Sequence, residues 1–116
     1  MNNIQELIKS FEEEVKIQHS ATLEGDHKTN NRSFKRSHKI FKTLRKLDKV
    51  DALLPLLNSE HPEVRLYSAN YCLPIAEEQC LKIFEDIKNG DYQILSLSAE
   101  YCIKNWATKE YAMWDI

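Results

Sequence analysis

The phrase SANYC at positions 68–72 returns as SAEYC at positions 98–102, an interval of thirty residues. Laid over one another at that offset, the two stretches pair Leu54 with Phe84, Leu57 with Ile87, Val64 with Ile94, Ser68-Ala69 with Ser98-Ala99 and Tyr71-Cys72 with Tyr101-Cys102. These positions recur at helical spacing and bracket the same helix-turn-helix, so the repeated unit is an antiparallel helix pair. Such a unit cannot bury its apolar face alone and must stack on neighbours. The short side chains of Ser68, Ala69, Ser98 and Ala99 suit the close approach that stacking requires. Phe34 stands thirty before Val64, which makes the preceding helices a first, divergent unit. The expectation is an all-α fold of about six helices, stacked as three antiparallel pairs.

Only two glycines and three prolines punctuate the chain, and their places divide it into six segments. A first helix over about 3–24 carries Ile4, Leu7, Ile8, Phe11 and Val15 on one face and ends at Gly25. Asp26 caps a second, through about Leu47, with Phe34, Ile40, Phe41, Leu44 and Leu47 inward. Asp48 is expected to cap a third, kinked by Pro55, which removes a backbone donor and strikes the preceding turn. A fourth starts at His61-Pro62, where proline suits the first helical position, and stops before Pro74. A fifth runs over about 76–89 with Gly90 as its C-terminal stop, and Asp91 caps a sixth that ends between Trp106 and Lys109.

At 116 residues the chain has the size of a single domain over 1–116. Its 42% apolar and 29% charged residues and net charge of −2 belong to an ordinary globular protein, so overall charge selects no partner. The opening MNNIQE has neither the basic nor the apolar region of a secretion signal. The longest apolar run, ALLPLL at 52–57, is far short of the roughly 20 residues that span a bilayer. A cytoplasmic protein is expected. Cys72, Cys80 and Cys102 are odd in number and form no CxxC, which disfavours a disulfide framework and a zinc site alike; they read as small buried thiols in a reducing compartment.

The stretch LLPLLNSEHPEVRLYSANYCLPI resembles the HEAT-like (ARM-type) repeat signature: a first helix with proline ending in Leu-Leu, a short polar turn, then Val-Arg, a small residue and a terminal apolar position. It departs from that signature in having Asn58 or Ser59 where Asp is usual and Cys72 where Leu is common. The resemblance implies that Arg65 bridges neighbouring turns through a carboxylate, although the next repeat has Leu95 in its place. The wider layout is similar to a small prokaryotic family of unknown function with a HEAT-like fold. Ala21, Gly25-Asp26, Asn30 or Asn31, Val64-Arg65 and Trp106 stand where that family's pattern has them. The resemblance implies a bacterial protein and supplies no catalytic residue.

The residues alone point to no cofactor, metal or catalytic centre. His19, His27, His38 and His61 form no HExxH or HxxxH spacing and belong to no Cys or carboxylate grouping at metal-ligand spacing. Gly25 and Gly90 stand apart, so neither a nucleophile elbow nor a phosphate-cradling loop is present. Glu12, Glu13 and Glu14 read as a solvated helix face rather than as general acids or bases. An active site assembled from distant residues remains the third alternative to the two binding readings that follow.

Charge in the second helix exceeds background. Nine of the sixteen Lys and Arg residues fall between Lys28 and Lys49. At about 100° per residue, Lys28, Arg32, Lys35, Lys39, Lys42 and Lys46 form one stripe opposite Phe34, Phe41 and Leu44, with Arg36 beside it. Three readings compete: a solvated face neutralised by a neighbouring element, a docking surface for an acidic protein, or a phosphate-neutralising groove for nucleic acid. The last lacks aromatic residues interleaved with the cations for stacking on bases. The preferred expectation is a non-catalytic binding module for an acidic protein partner, with no membrane contact. It would use Lys28, Arg32, Lys35, Arg36, Lys39, Lys42 and Lys46, with Arg65 as an extension, in the manner of small helical-repeat immunity or antitoxin proteins. Tyr92, Trp106, Tyr111 and Trp114 crowd the last unit; either EYAMWDI folds back over the final helix pair or these aromatics form an interface.

Overall fold

The computed structural model describes residues 3–115. Met1, Asn2 and Ile116, which belong to the opening MNNIQE and the closing EYAMWDI, lie outside the described residues. The fold is all-α. Its elements are α1 (Ile4–Glu24), α2 (His27–Lys46), a 3₁₀ helix (Val50–Asn58), α3 (Pro62–Cys72), α4 (Glu77–Lys88) and α5 (Ile94–Ala107), with no strand among the described residues. Contacts divide the chain into two compact units, Met1–Leu53 and Leu54–Ile116.

In the first unit, α1 and α2 form an antiparallel hairpin. The Asn3 side chain accepts from the Gln5 N–H at 2.9 Å and starts α1. Gly25 ends it at φ 72, a left-handed turn that glycine enters without a Cβ penalty. The Gly25 N–H donates to Thr22 O and the Asp26 N–H to Ala21 O, closing the helix end. Asp26 then turns the chain over, accepting from the Thr29 N–H at 3.1 Å and from Thr29 Oγ1 at 2.7 Å. Phe11, Val15 and Ala21 of α1 and Phe41 and Leu44 of α2 are buried, together with Val50 and Leu53 of the 3₁₀ helix. Ser33 and Ser37 of α2 are buried too, and their small side chains let the hairpin close. Phe34 and Ile40, expected inward, are only half-buried, and Leu47 is exposed.

In the second unit, α3 packs on α4, α4 on α5, and α3 also touches α5. Its core holds Leu57, Val64, Leu66, Ala69, Cys72, Leu73, Cys80, Phe84, Ile87, Leu95 and Ala99. Removing a side chain the size of Phe84 from water contributes roughly 2–3 kcal/mol. The two copies of the repeated phrase differ in burial. Ala69 and Ala99 are both buried, but Tyr71 is buried and Tyr101 exposed, because α3 is covered by α4, α5 and the C-terminal segment.

Several local expectations are corrected. Residues 50–58 wind as a 3₁₀ helix rather than a proline-kinked α-helix. Val50, Leu53 and Leu56 are buried at intervals of three, the period at which 3₁₀ side chains eclipse, and the tighter winding keeps the Pro55 ring out of an α-helical turn. Asp48 caps nothing. At φ 57 it is the left-handed residue that ends α2, with its N–H on Arg45 O while the Lys49 N–H reaches Leu44 O. Asp91 does not cap α5 either; Gln93 stands there at φ 53 without a side-chain cap bond. Ser96 organises that turn instead: its Oγ accepts from the Tyr92 N–H at 3.3 Å and donates toward Ile87 O and Gly90 O at 2.9 and 3.1 Å. A Cβ at Gly90 would meet the Tyr92 ring, so this partly exposed side chain would have to shift to admit one.

The C-terminal segment folds back onto α3 rather than over the α4–α5 pair as a whole. Tyr111 Oη donates to Asn70 O at 2.9 Å and Trp114 Nε1 to Tyr71 O at 2.7 Å. Trp106 Nε1 reaches Glu77 Oε2 at 2.8 Å and meets the Tyr111 ring edge-on at 5.2 Å.

Candidate functional site

The α2 stripe is solvent-facing along its whole length: Lys28, Arg32, Lys35, Arg36, Lys39, Lys42 and Lys46 are all exposed. This follows from the opposite face, where Ser33, Ser37, Phe41 and Leu44 are committed to α1. His38 lies between the Phe34 and Phe41 rings, at centroid distances of 5.4 and 5.7 Å. Burial, and secondarily the charge of Lys42, lowers its pKa below the ordinary imidazole value, so the residue adds packing to this face and no charge.

Lys28, Arg32, Lys35, Arg36 and Lys39, with Asn31 among them, line an open concavity of about 450 Å³. Among the described residues, Arg36 alone of these seven stripe cations is in an ion pair, its Nη1 lying 3.7 Å from Glu14 Oε1. Among the described residues, no carboxylate lies within ion-pair distance of the other six. Lys42 and Lys46 lie farther along α2 and do not line the concavity. Arg65 belongs to the second unit, where its Nη1 donates to Ser59 O at 2.7 Å and holds the turn between the 3₁₀ helix and α3.

Glu14 is the residue that sequence reasoning misplaced. It is only 9% exposed, not part of a solvated face, and its Oε2 is buried with no hydrogen-bond partner. The signal was available: Phe11, Glu14, Val15, Gln18 and Ala21 fall on one helical stripe, and all are buried. Beside it runs a second concavity of about 430 Å³ between α1 and α2, with apolar surface from Leu7, Ile17 and Ile40. Glu13 and Glu14 line it from α1, and Arg36 and Lys39 from α2.

The second unit has an apolar opening of about 340 Å³ between α3 and α5, where Leu97 is 68% and Tyr101 65% exposed. Its reactive groups are quiet. Burial pushes the Cys72 thiol up to about 12 and those of Cys80 and Cys102 up to about 11, far from thiolate formation at neutral pH. All three cysteines are free. Among the described residues no three His, Cys, Asp or Glu side chains converge as metal ligands, and no helix is long and apolar enough to cross a membrane.

Residues 5–106 match a domain of unknown function, DUF2019, from the first turn of α1 to the end of α5. The segment carrying Tyr111 and Trp114 lies beyond the matched span. Neither the curated proteins nor the solved structures hold a match. With most of its length, including the α1–α2 hairpin and its basic face, inside the matched span, the chain belongs to the DUF2019 family.

Proposed function

We propose that this chain is a non-catalytic, HEAT-like binding module that receives an acidic protein partner on the exposed face of α2, in the manner of small helical-repeat immunity or antitoxin proteins of the bacterial cytoplasm. The observation that carries the reading is the concavity lined by Lys28, Arg32, Lys35, Arg36 and Lys39, in which, among the described residues, a single ion pair offsets five cations. Unneutralised positive charge on a rigid helix steers an anionic surface into register at little cost in ordering. The HEAT-like part is supported by the thirty-residue offset, by the buried Ala69 and Ala99 and by the packing of α3 on both α4 and α5. Nucleic acid is the weaker occupant: Phe41 is buried and Phe34 is stacked on His38, which leaves the face without an aromatic platform for bases.

The test is affinity capture from native lysate at physiological salt, with and without nuclease, comparing the parent with the Lys28→Glu, Arg32→Glu, Lys35→Glu triple variant. One stoichiometric protein, retained after nuclease and lost from the triple variant, is the expected result. Capture that disappears with nuclease would transfer the face to nucleic acid, and capture unchanged by the triple variant would return it to a solvated surface.

A further inference from the structure

We infer that the groove between α1 and α2 seats an amphipathic helix of the partner whose acidic edge lies along α2. The inference rests on the reading of α2 as the docking face for an acidic protein and adds the form of the docking segment. Continuity is the first reason. Arg36 and Lys39 line both the basic concavity and the groove beside it, so one ligand can occupy the two together. The second is apolar surface that a purely electrostatic site would not need. Leu7, Ile17 and Ile40 all line the groove, and Ile17 is 44% exposed although it stands on a helix with a well-filled inner face.

Length and charge then select the occupant. Leu7 and Ile17 are ten residues apart on α1, about 15 Å along the axis, the reach of roughly three turns of a partner helix anchored at i, i+3 or i+4, and i+7. The sides of the groove differ in sign, with Glu13 and Glu14 on α1 and Arg36 and Lys39 on α2. A helix lying in it is therefore favoured with carboxylates toward α2 and neutral or basic residues toward α1, which sets its rotation about its own axis. Arg36 suits a second carboxylate. Its guanidinium is 62% exposed and its contact with Glu14 is long at 3.7 Å, leaving further N–H donors of the fork for the partner.

The probe is a fluorescent, end-capped peptide of about fourteen residues with leucines on one helical stripe and glutamates along one adjoining edge. A scrambled peptide of the same composition keeps the charge and loses the stripe. Fluorescence anisotropy with the full chain is expected to show the patterned peptide binding at least about tenfold more tightly than the scrambled one. Ile17→Asp, at an exposed position, is expected to remove that preference with an unchanged circular-dichroism melt, and the methyl resonances of Leu7, Ile17 and Ile40 are expected to shift on binding. Equal binding of the two peptides, no binding of either, or an Ile17→Asp variant that retains the preference overturns the groove assignment. The parent reading is judged separately by the Lys28, Arg32, Lys35 variant, because none of those residues lines the groove.

Discussion

Three non-glycine residues, Asp48, Gln93 and Lys109, hold positive φ. Asp48 and Lys109 do the same task as Gly25: each stands just past a helix and lets the following N–H reach back to a carbonyl of the last turn. A Cβ in the left-handed region costs roughly 1 kcal/mol, somewhat less for Asp than for most residues. Asp48 is exposed, and among the described residues its side chain makes no hydrogen bond that offsets that cost. Asp48→Gly is therefore expected to stabilise the chain by about 0.5 kcal/mol, the relief at φ 57 exceeding the extra backbone entropy that glycine gives the unfolded state. The converse change, Gly25→Ala, meets no atom within 4 Å but places a Cβ at φ 72, and is expected to cost about 1 kcal/mol. Urea titration followed by circular dichroism measures both, and a destabilised Asp48→Gly variant would contradict the account of α2's end.

Elements in the second unit are held at their ends by residues distant in sequence. Residues 108–115 form no helix, yet they satisfy carbonyls at the end of α3 through Tyr111 and Trp114. Those carbonyls belong to a helix end whose acceptors have no partner further along the helix, so donors from elsewhere are worth more there than on an open surface. Trp114→Ala is expected to lower stability by about 1–3 kcal/mol, combining lost indole contact with the lost hydrogen bond to Tyr71 O. Trp114→Phe, which removes the donor and keeps a smaller aromatic ring in place of the indole, should lose about 1–2 kcal/mol. Thermal melts of the two variants separate the contributions; equal losses would mean that the hydrogen bond, not the packing, holds the segment.

Across the whole molecule, charge is divided along the boundary between the units. Residues 1–53 carry eleven Lys and Arg against eight Asp and Glu, a net of +3, while residues 54–116 carry five against ten, a net of −5. The overall −2 conceals this split. A protein of nearly balanced charge with a locally basic face gains mainly in encounter rate with an acidic partner, and that gain is screened by salt. Stopped-flow association with the captured partner is expected to slow by about tenfold or more from low to high ionic strength, with dissociation changing much less. A salt-independent association rate would remove α2's charge from the encounter.

Wherever neighbours a few residues apart decide the outcome, the sequence by itself determined the structure: Asn3, Gly25-Asp26 and Pro62 mark helix ends through local caps and dihedral preferences, and 3.6-residue spacing marks Phe11, Val15, Phe41 and Leu44 as core. The stripe of α2 was legible for the same reason, since one helix places Lys28 to Lys39 on one face whatever lies behind it. Where contacts distant in the chain compete with local preference, only the tertiary structure decided. Burial at intervals of three accompanies 3₁₀ winding at 50–58, Ser96 displaces Asp91 at the start of α5, and α2 covers Glu14, which its own run of glutamates marked as solvent-facing. The groove beside the basic face belongs to this second group, because Leu7, Ile17, Arg36 and Ile40 come together only when α1 and α2 pack.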